Sequence, residues 1–159
     1  MKRTLLILAV FSLLSLTNCR TPDKISGYYN YETECLGKQM DGVQLVKAWG
    51  KGFNRKEARA NAYKNALKEI LFDGLRNGNS ECDVKPLVVE ANAQERHESY
   101  FNDFFSKNGI YKRYVKEYNK TAAGKGEKSN AKEAFSYYLK IDVPKLKTLL
   151  LKDQILLGI

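Results

Sequence analysis

At residues 135–143 apolar and polar side chains alternate without a break. Phe135, Tyr137, Leu139, Ile141 and Val143 fall on one side of an extended backbone, and Ser136, Tyr138, Lys140 and Asp142 on the other. A period of two fits a strand buried on one face and does not fit a helix. Such a strand needs partners along its edges and a layer over its apolar side, so an all-helical fold is excluded. Pro144 then stands where a first helical turn accepts it. Leu146, Leu149, Leu150 and Leu157 follow as an apolar stripe flanked by Lys145, Lys147 and Lys152.

The rest of the chain supplies the other layers. In residues 43–53, Val43, Leu45, Val46, Trp49 and Phe53 suit a strand running into Gly50, Lys51 and Gly52. Asn54 is a good helix N-cap, with Glu57 three residues later in capping-box spacing. Ala58, Ala62, Tyr63, Ala66, Leu67, Ile70 and Leu71 recur at helical spacing, and Gly74 is placed to end that helix. The row Ala58, Ala62, Ala66 lets the helix come close to a sheet. Residues 77–83 read as a loop and 86–89 as a short edge strand. A second helix is expected from Asn92, again with a Glu three later, bringing Tyr100, Phe101, Phe104 and Phe105 to one face. Residues 110–118, rich in Tyr and Val, read as a further strand, followed by a polar loop at 119–130. With 159 residues there is room for one modest core and not for two large domains. The predicted class is α+β, a small antiparallel sheet with helices packed on one face.

The first nineteen residues are of a different kind. Lys2 and Arg3 precede an apolar run of Leu5 to Leu8, Ala9, Val10, Phe11, Leu13 and Leu14, and then Leu16, Thr17, Asn18 and Cys19. The run is about a dozen residues, too short to span a bilayer, and its order is that of an export signal. The last four residues resemble the lipobox of bacterial lipoproteins. That resemblance implies diacylglycerol on the Cys19 thiol, cleavage before it, and Cys19 as the mature N-terminus. Several acyl chains at about 0.8 kcal/mol per buried methylene would hold the protein at a membrane without inserting it. Arg20 stands where an Asp would retain a Gram-negative lipoprotein in the inner membrane. The expected location is therefore the outer membrane, lipid-anchored and facing the periplasm. The expected organisation is a signal peptide at 1–18, a lipidated N-terminus and tether at 19–42, and one α+β domain at 43–159.

A second resemblance rests on Trp49, Gly50, Lys51 and Gly52 ending a strand, on Arg59, Ala60, Asn61, Ala62 and Ala66 in a capped helix, and on Ile141, Asp142 and Val143 before a Leu-rich helix. This pattern is similar to small outer-membrane lipoproteins related to a flagellar-assembly lipoprotein domain. It implies an α+β domain serving in an envelope or secretion assembly. Residues 80–108 stand as an insertion relative to it.

Chemistry-bearing residues are few. With Cys19 taken by lipid, Cys35 and Cys82 remain, and an exported protein lives where disulfides persist. A bridge between them is the leading reading, with two buried thiols as the alternative. Neither has a C-x-x-C neighbour, so a thioredoxin-like role has no support. His97 is the sole histidine and falls beside the aromatic face of the second helix, which suits packing better than catalysis. The carboxylates Glu69 and Asp73 are the remaining candidates for hydrolytic chemistry. The glycine-lysine pieces at 50–52 and 124–126 lack the spacing of a phosphate loop, and neither a G-x-S-x-G elbow nor an H-E-x-x-H pair occurs. No cofactor and no metal are expected.

The chain carries 27 Lys and Arg against 18 Asp and Glu, a net charge of +9. Much of the excess lies in residues 107–132, where Lys107, Lys112, Arg113, Lys116, Lys120, Lys125, Lys128 and Lys132 face only Glu117 and Glu127. Tyr111, Tyr114 and Tyr118 are interleaved. The expected contact surface is therefore Tyr111, Lys112, Arg113, Tyr114, Lys116, Tyr118 and Lys120. Nucleic acid is scarce in an envelope compartment, which leaves acidic proteins, glycan carboxylates and anionic lipid headgroups as partners. The sequence points to a non-catalytic, lipid-anchored adaptor in an envelope or secretion assembly. The alternative is a binding module for an anionic envelope polymer such as peptidoglycan.

Overall fold

The computed structural model describes residues 31–118 and 134–156. Cys19, Arg20, Lys120, Leu157 and the expected polar loop at 119–130 lie outside them. Five strands form one sheet: β1 (Glu34–Lys38), β2 (Gln44–Lys51), β3 (Asn77–Gly78), β4 (Val115–Glu117) and β5 (Ala134–Ile141), in the order β3-β1-β2-β5-β4. All neighbours are antiparallel except β1 and β3. The helices α1 (Arg55–Lys68), α2 (Ala93–Arg96), α3 (Glu98–Phe104) and α4 (Val143–Lys152) contribute to one core with one face of this sheet. The expected α+β class holds.

The centre of the fold is the pairing of β2 with β5, which runs in unbroken register from Gln44 opposite Ile141 to Lys51 opposite Ala134. On the helix side, Val46, Ala48 and Gly50 meet Leu139, Tyr137 and Phe135, so the facing of 135–141 is as expected, but the burial is corrected at one end: Phe135 and Tyr137 are half-buried, whereas Ser136 on the opposite side is completely buried. α1 lies directly on this side. A Cβ added to Gly50 would stand 1.9 Å from the Ala58 carbonyl oxygen and 2.5 Å from the Ala62 nitrogen. Ala58, Ala62 and Ala66 are completely buried, as their small size allows. Close approach therefore requires small residues on both partners.

α1 is fixed at both ends. Asn54 Oδ1 accepts the Glu57 amide at 2.9 Å, and Glu57 Oε2 accepts the Phe53 amide at 3.0 Å. The reciprocal cap is present, although Glu57 reaches one residue beyond the cap. Among the described residues β1 pairs with β2 only as far as Lys47, so the Trp49 and Lys51 carbonyls lie beyond that pairing. The side-chain amides of Asn65 and Asn61, one turn apart on α1, donate to them at 3.0 and 2.8 Å. The helix then widens into a π turn, Glu69–Asp73, which Gly74 ends at φ 78°.

Three expectations are corrected. Residues 86–89 are not a strand, because the Leu87 and Val88 amides donate to the Ile70 and Leu71 carbonyls at 3.0 and 2.8 Å, satisfying the end of the π turn. The helix expected from Asn92 is broken at His97 into α2 and α3, and Asn92 at φ 58° makes no side-chain cap. Residues 110–118 open with a 3₁₀ turn, Ile110–Arg113, and only Val115–Glu117 are strand. The aromatic face of α3 is as expected: Phe101, Phe104 and Phe105 are buried, in edge contacts with Phe72 and with one another.

The segment 19–42, read as a tether, supplies β1. Its Thr33 amide and hydroxyl both donate to the Glu69 carboxylate, the hydroxyl at 2.7 Å. Residues 77–83, read as a loop, include the two-residue strand β3.

Candidate functional site

Cys35 and Cys82 form a disulfide with Cα atoms 5.9 Å apart. Cys35 is opposite Val46 on the helix side of the sheet, so the bridge ties β1 to the segment after β3. Its neighbour Asp83 accepts from Lys38 Nζ at 2.7 Å and from Gln44 Nε2 at 2.6 Å. Those bonds lock the same segment to both strands of the β1-β2 hairpin. The bridge is structural: its sulfurs are buried, and among the described residues no group of three or more His, Cys, Asp or Glu could hold a metal ion.

His97 Nε2 lies 3.6 Å from Glu90, which also pairs with Arg96. The Glu69 carboxyl is held above its ordinary range by burial, opposed by the Thr33 bonds, with Glu32 and Asp73 adding repulsion. Its hydrogen bonds fasten the entry to β1.

The basic stretch is divided by the fold. Tyr111 is 1% exposed and packs beside Phe105 under α1. Tyr114 stacks on Phe104 at 6.2 Å and is partly buried against the core. Both are corrections to the expected contact surface, because the 3₁₀ turn rotates their rings inward. Lys112 stays exposed beside them. Its Nζ and that of Lys64 each lie 5.6 Å from the Tyr111 ring centre, and Lys68 lies 5.7 Å from Phe105. Burial, with Lys68 and Lys112 close by, lowers the Lys64 pKa. Arg113 is exposed. Lys120 is outside the described residues.

Lys116 and Tyr118 take the other direction. In β4, Lys116 is directly opposite Lys140, and Tyr118 donates its amide to Tyr138 at 2.9 Å. The same side of the sheet carries Leu45, Lys47, Trp49 and Lys51 from β2, all half-buried. Cations sit on rings across it: Lys140 5.4 Å from Tyr118, Lys47 5.1 Å from Trp49, and Lys51 4.9 Å from Tyr31. Tyr31 and Trp49 are themselves 5.6 Å apart. Such pairs are attractive, and Ser136, opposite Trp49 on this same side, is completely buried.

Lys116 and Lys140 are like charges at a directly opposed position, an arrangement that costs stability. Neither makes an ion pair among the described residues. Lys116 acts on Asp142, whose carboxyl burial would raise but which its bonds to Lys145, with Lys116 close by, bring below the ordinary range. Two opposed cations beside tyrosines form a local site for an anion.

The sequence placed Lys116 and Tyr118 in one candidate surface, and the fold sets Lys47, Trp49, Tyr138 and Lys140 on the same side of the sheet. The signal was present, since Leu45, Lys47, Trp49 and Lys51 alternate with the small inward residues of β2. Among the described residues no helix is long and apolar enough to cross a membrane. No family model matches the chain, and no curated protein or solved structure matches it.

Proposed function

We propose that this is a non-catalytic, lipid-anchored accessory protein of a Gram-negative outer membrane, facing the periplasm and acting as an adaptor in an envelope or secretion assembly. The leader ending in Leu16, Thr17, Asn18 and Cys19 supports the anchor. The Cys35–Cys82 bridge supports an oxidising compartment. The partner is an acidic protein, which docks on the second face of the sheet. The observation that carries this docking is the opposed pair Lys116 and Lys140 beside Tyr118 and Tyr138, with Trp49 on the same face. Tyrosine and tryptophan supply large rigid contact area, and a carboxylate of the partner relieves the repulsion between the two lysines.

In-cell crosslinking at native level, followed by mass spectrometry of the attached proteins, tests this reading. One or two stoichiometric envelope proteins are expected, lost with Lys116→Glu and Lys140→Glu and kept with Lys112→Glu. Recovery of peptidoglycan fragments alone, with binding that falls steeply as salt rises, would instead establish the anionic-polymer module. Continued fatty-acid labelling of Cys19→Ala would remove the anchor.

A further inference from the structure

The helix side of the molecule holds a feature that the docking face does not use. A groove of about 1050 Å³ runs between residues 83–90, the turn at Gly42 and α4. Its walls are aliphatic: Val88, Val143 and Ile155 are buried, whereas Val89 and Leu151 stay 79% and 41% exposed. The volume is at the top of the range for small-molecule sites, and apolar lining with a few polar groups is their usual character. Exposed aliphatic side chains on both walls offer an apolar ligand surface to bury.

Its charged groups are unequal. Asp83 is neutralised by Lys38, and Glu90 by Arg96. Lys85 and Lys147 also line the groove, and neither makes an ion pair or hydrogen bond among the described residues. The unbalanced charge is positive, so the ligand is apolar along most of its length and anionic at one end. We infer that the groove binds a diffusible fatty acid, with its carboxylate at Lys85 and Lys147. The acyl chains of the protein's own anchor end in uncharged ester and amide groups and would leave Lys85 and Lys147 unmatched.

Photolabelling of the full-length chain in isolated envelope membranes, with palmitate carrying a diazirine, tests the site. Label is expected in the peptides holding Val88, Val89 and Leu151, displaced by excess palmitate. In the displacement series each added methylene should tighten binding up to about fourfold until the groove is full. Val89→Glu and Leu151→Glu should each cut labelling at least about tenfold. Both side chains are exposed, and an unchanged thermal unfolding midpoint reports that the variants fold. Lys85→Glu with Lys147→Glu should cut labelling by palmitate but not by a neutral fatty-alcohol probe. Label that palmitate does not displace, or that survives the Glu variants, would overturn the inference. Groove labelling seen only with Cys19→Ser would overturn the diffusible source and assign the groove to the anchor's own acyl chains.

Discussion

β2 presents two faces that obey different rules. Toward the helices, Val46, Ala48 and Gly50 shrink along the strand because α1 leaves no room, and all three are buried. On the other side Leu45, Lys47, Trp49 and Lys51 are large, half-buried and mostly cationic or aromatic. Neighbouring residues of one strand thus answer to different constraints: volume decides the first face, whereas charge and ring chemistry decide the second. Substitutions on the first should cost stability, and substitutions on the second should cost binding.

The largest expected effect is on the edge of the packed face. Replacing both Cys35 and Cys82 by Ala opens a crosslink across 47 residues, and the chain-entropy relation puts the loss at about 4 kcal/mol. Chemical denaturation of the pair variant against the oxidised protein measures it, and an unchanged midpoint would show that the Asp83 bonds alone hold the segment. Next comes Gly50→Ala. α1 must move off the sheet to admit the methyl group, at about 1–3 kcal/mol, read by thermal unfolding. A neutral result would mean that the tight packing does not define this face.

Glu69 gives a smaller effect that depends on pH. Its folded pKa is raised, so the folded state holds the proton more tightly than the unfolded chain. The contribution is fully present below the unfolded value of about 4.3 and is lost as pH rises through the folded value. The stability of the natural protein relative to Glu69→Gln should therefore fall with rising pH across the carboxylate range and then level off. A difference that is flat with pH would contradict the burial of this carboxyl. Smallest is Lys140→Gln, which should change stability by no more than about 0.5 kcal/mol. It should nonetheless weaken capture of the partner, and a variant that destabilises without affecting capture would reverse the roles of the two faces.

The sequence by itself determined the elements whose signals are local and repeated. These are the two-residue facing of 135–141, the reciprocal cap of Asn54 and Glu57, the Ala row of α1, the aromatic face of α3 and Pro144 in the first turn of α4. They are legible because side-chain period and hydrogen-bonding groups close to one another in the chain set them. The tertiary structure alone decided where distant groups are satisfied. The amides of Leu87 and Val88 chose the carbonyls of a π turn over a strand partner, and Asn61 and Asn65 took the β2 carbonyls that lie beyond the β1 pairing. It also divided the basic stretch, sending Tyr111 and Tyr114 into the core while Lys116 met Lys140 across an edge pair. Composition places cations and rings in one segment, but the face that each one reaches depends on a 3₁₀ turn and on a strand about 20 residues further along, which no local pattern encodes.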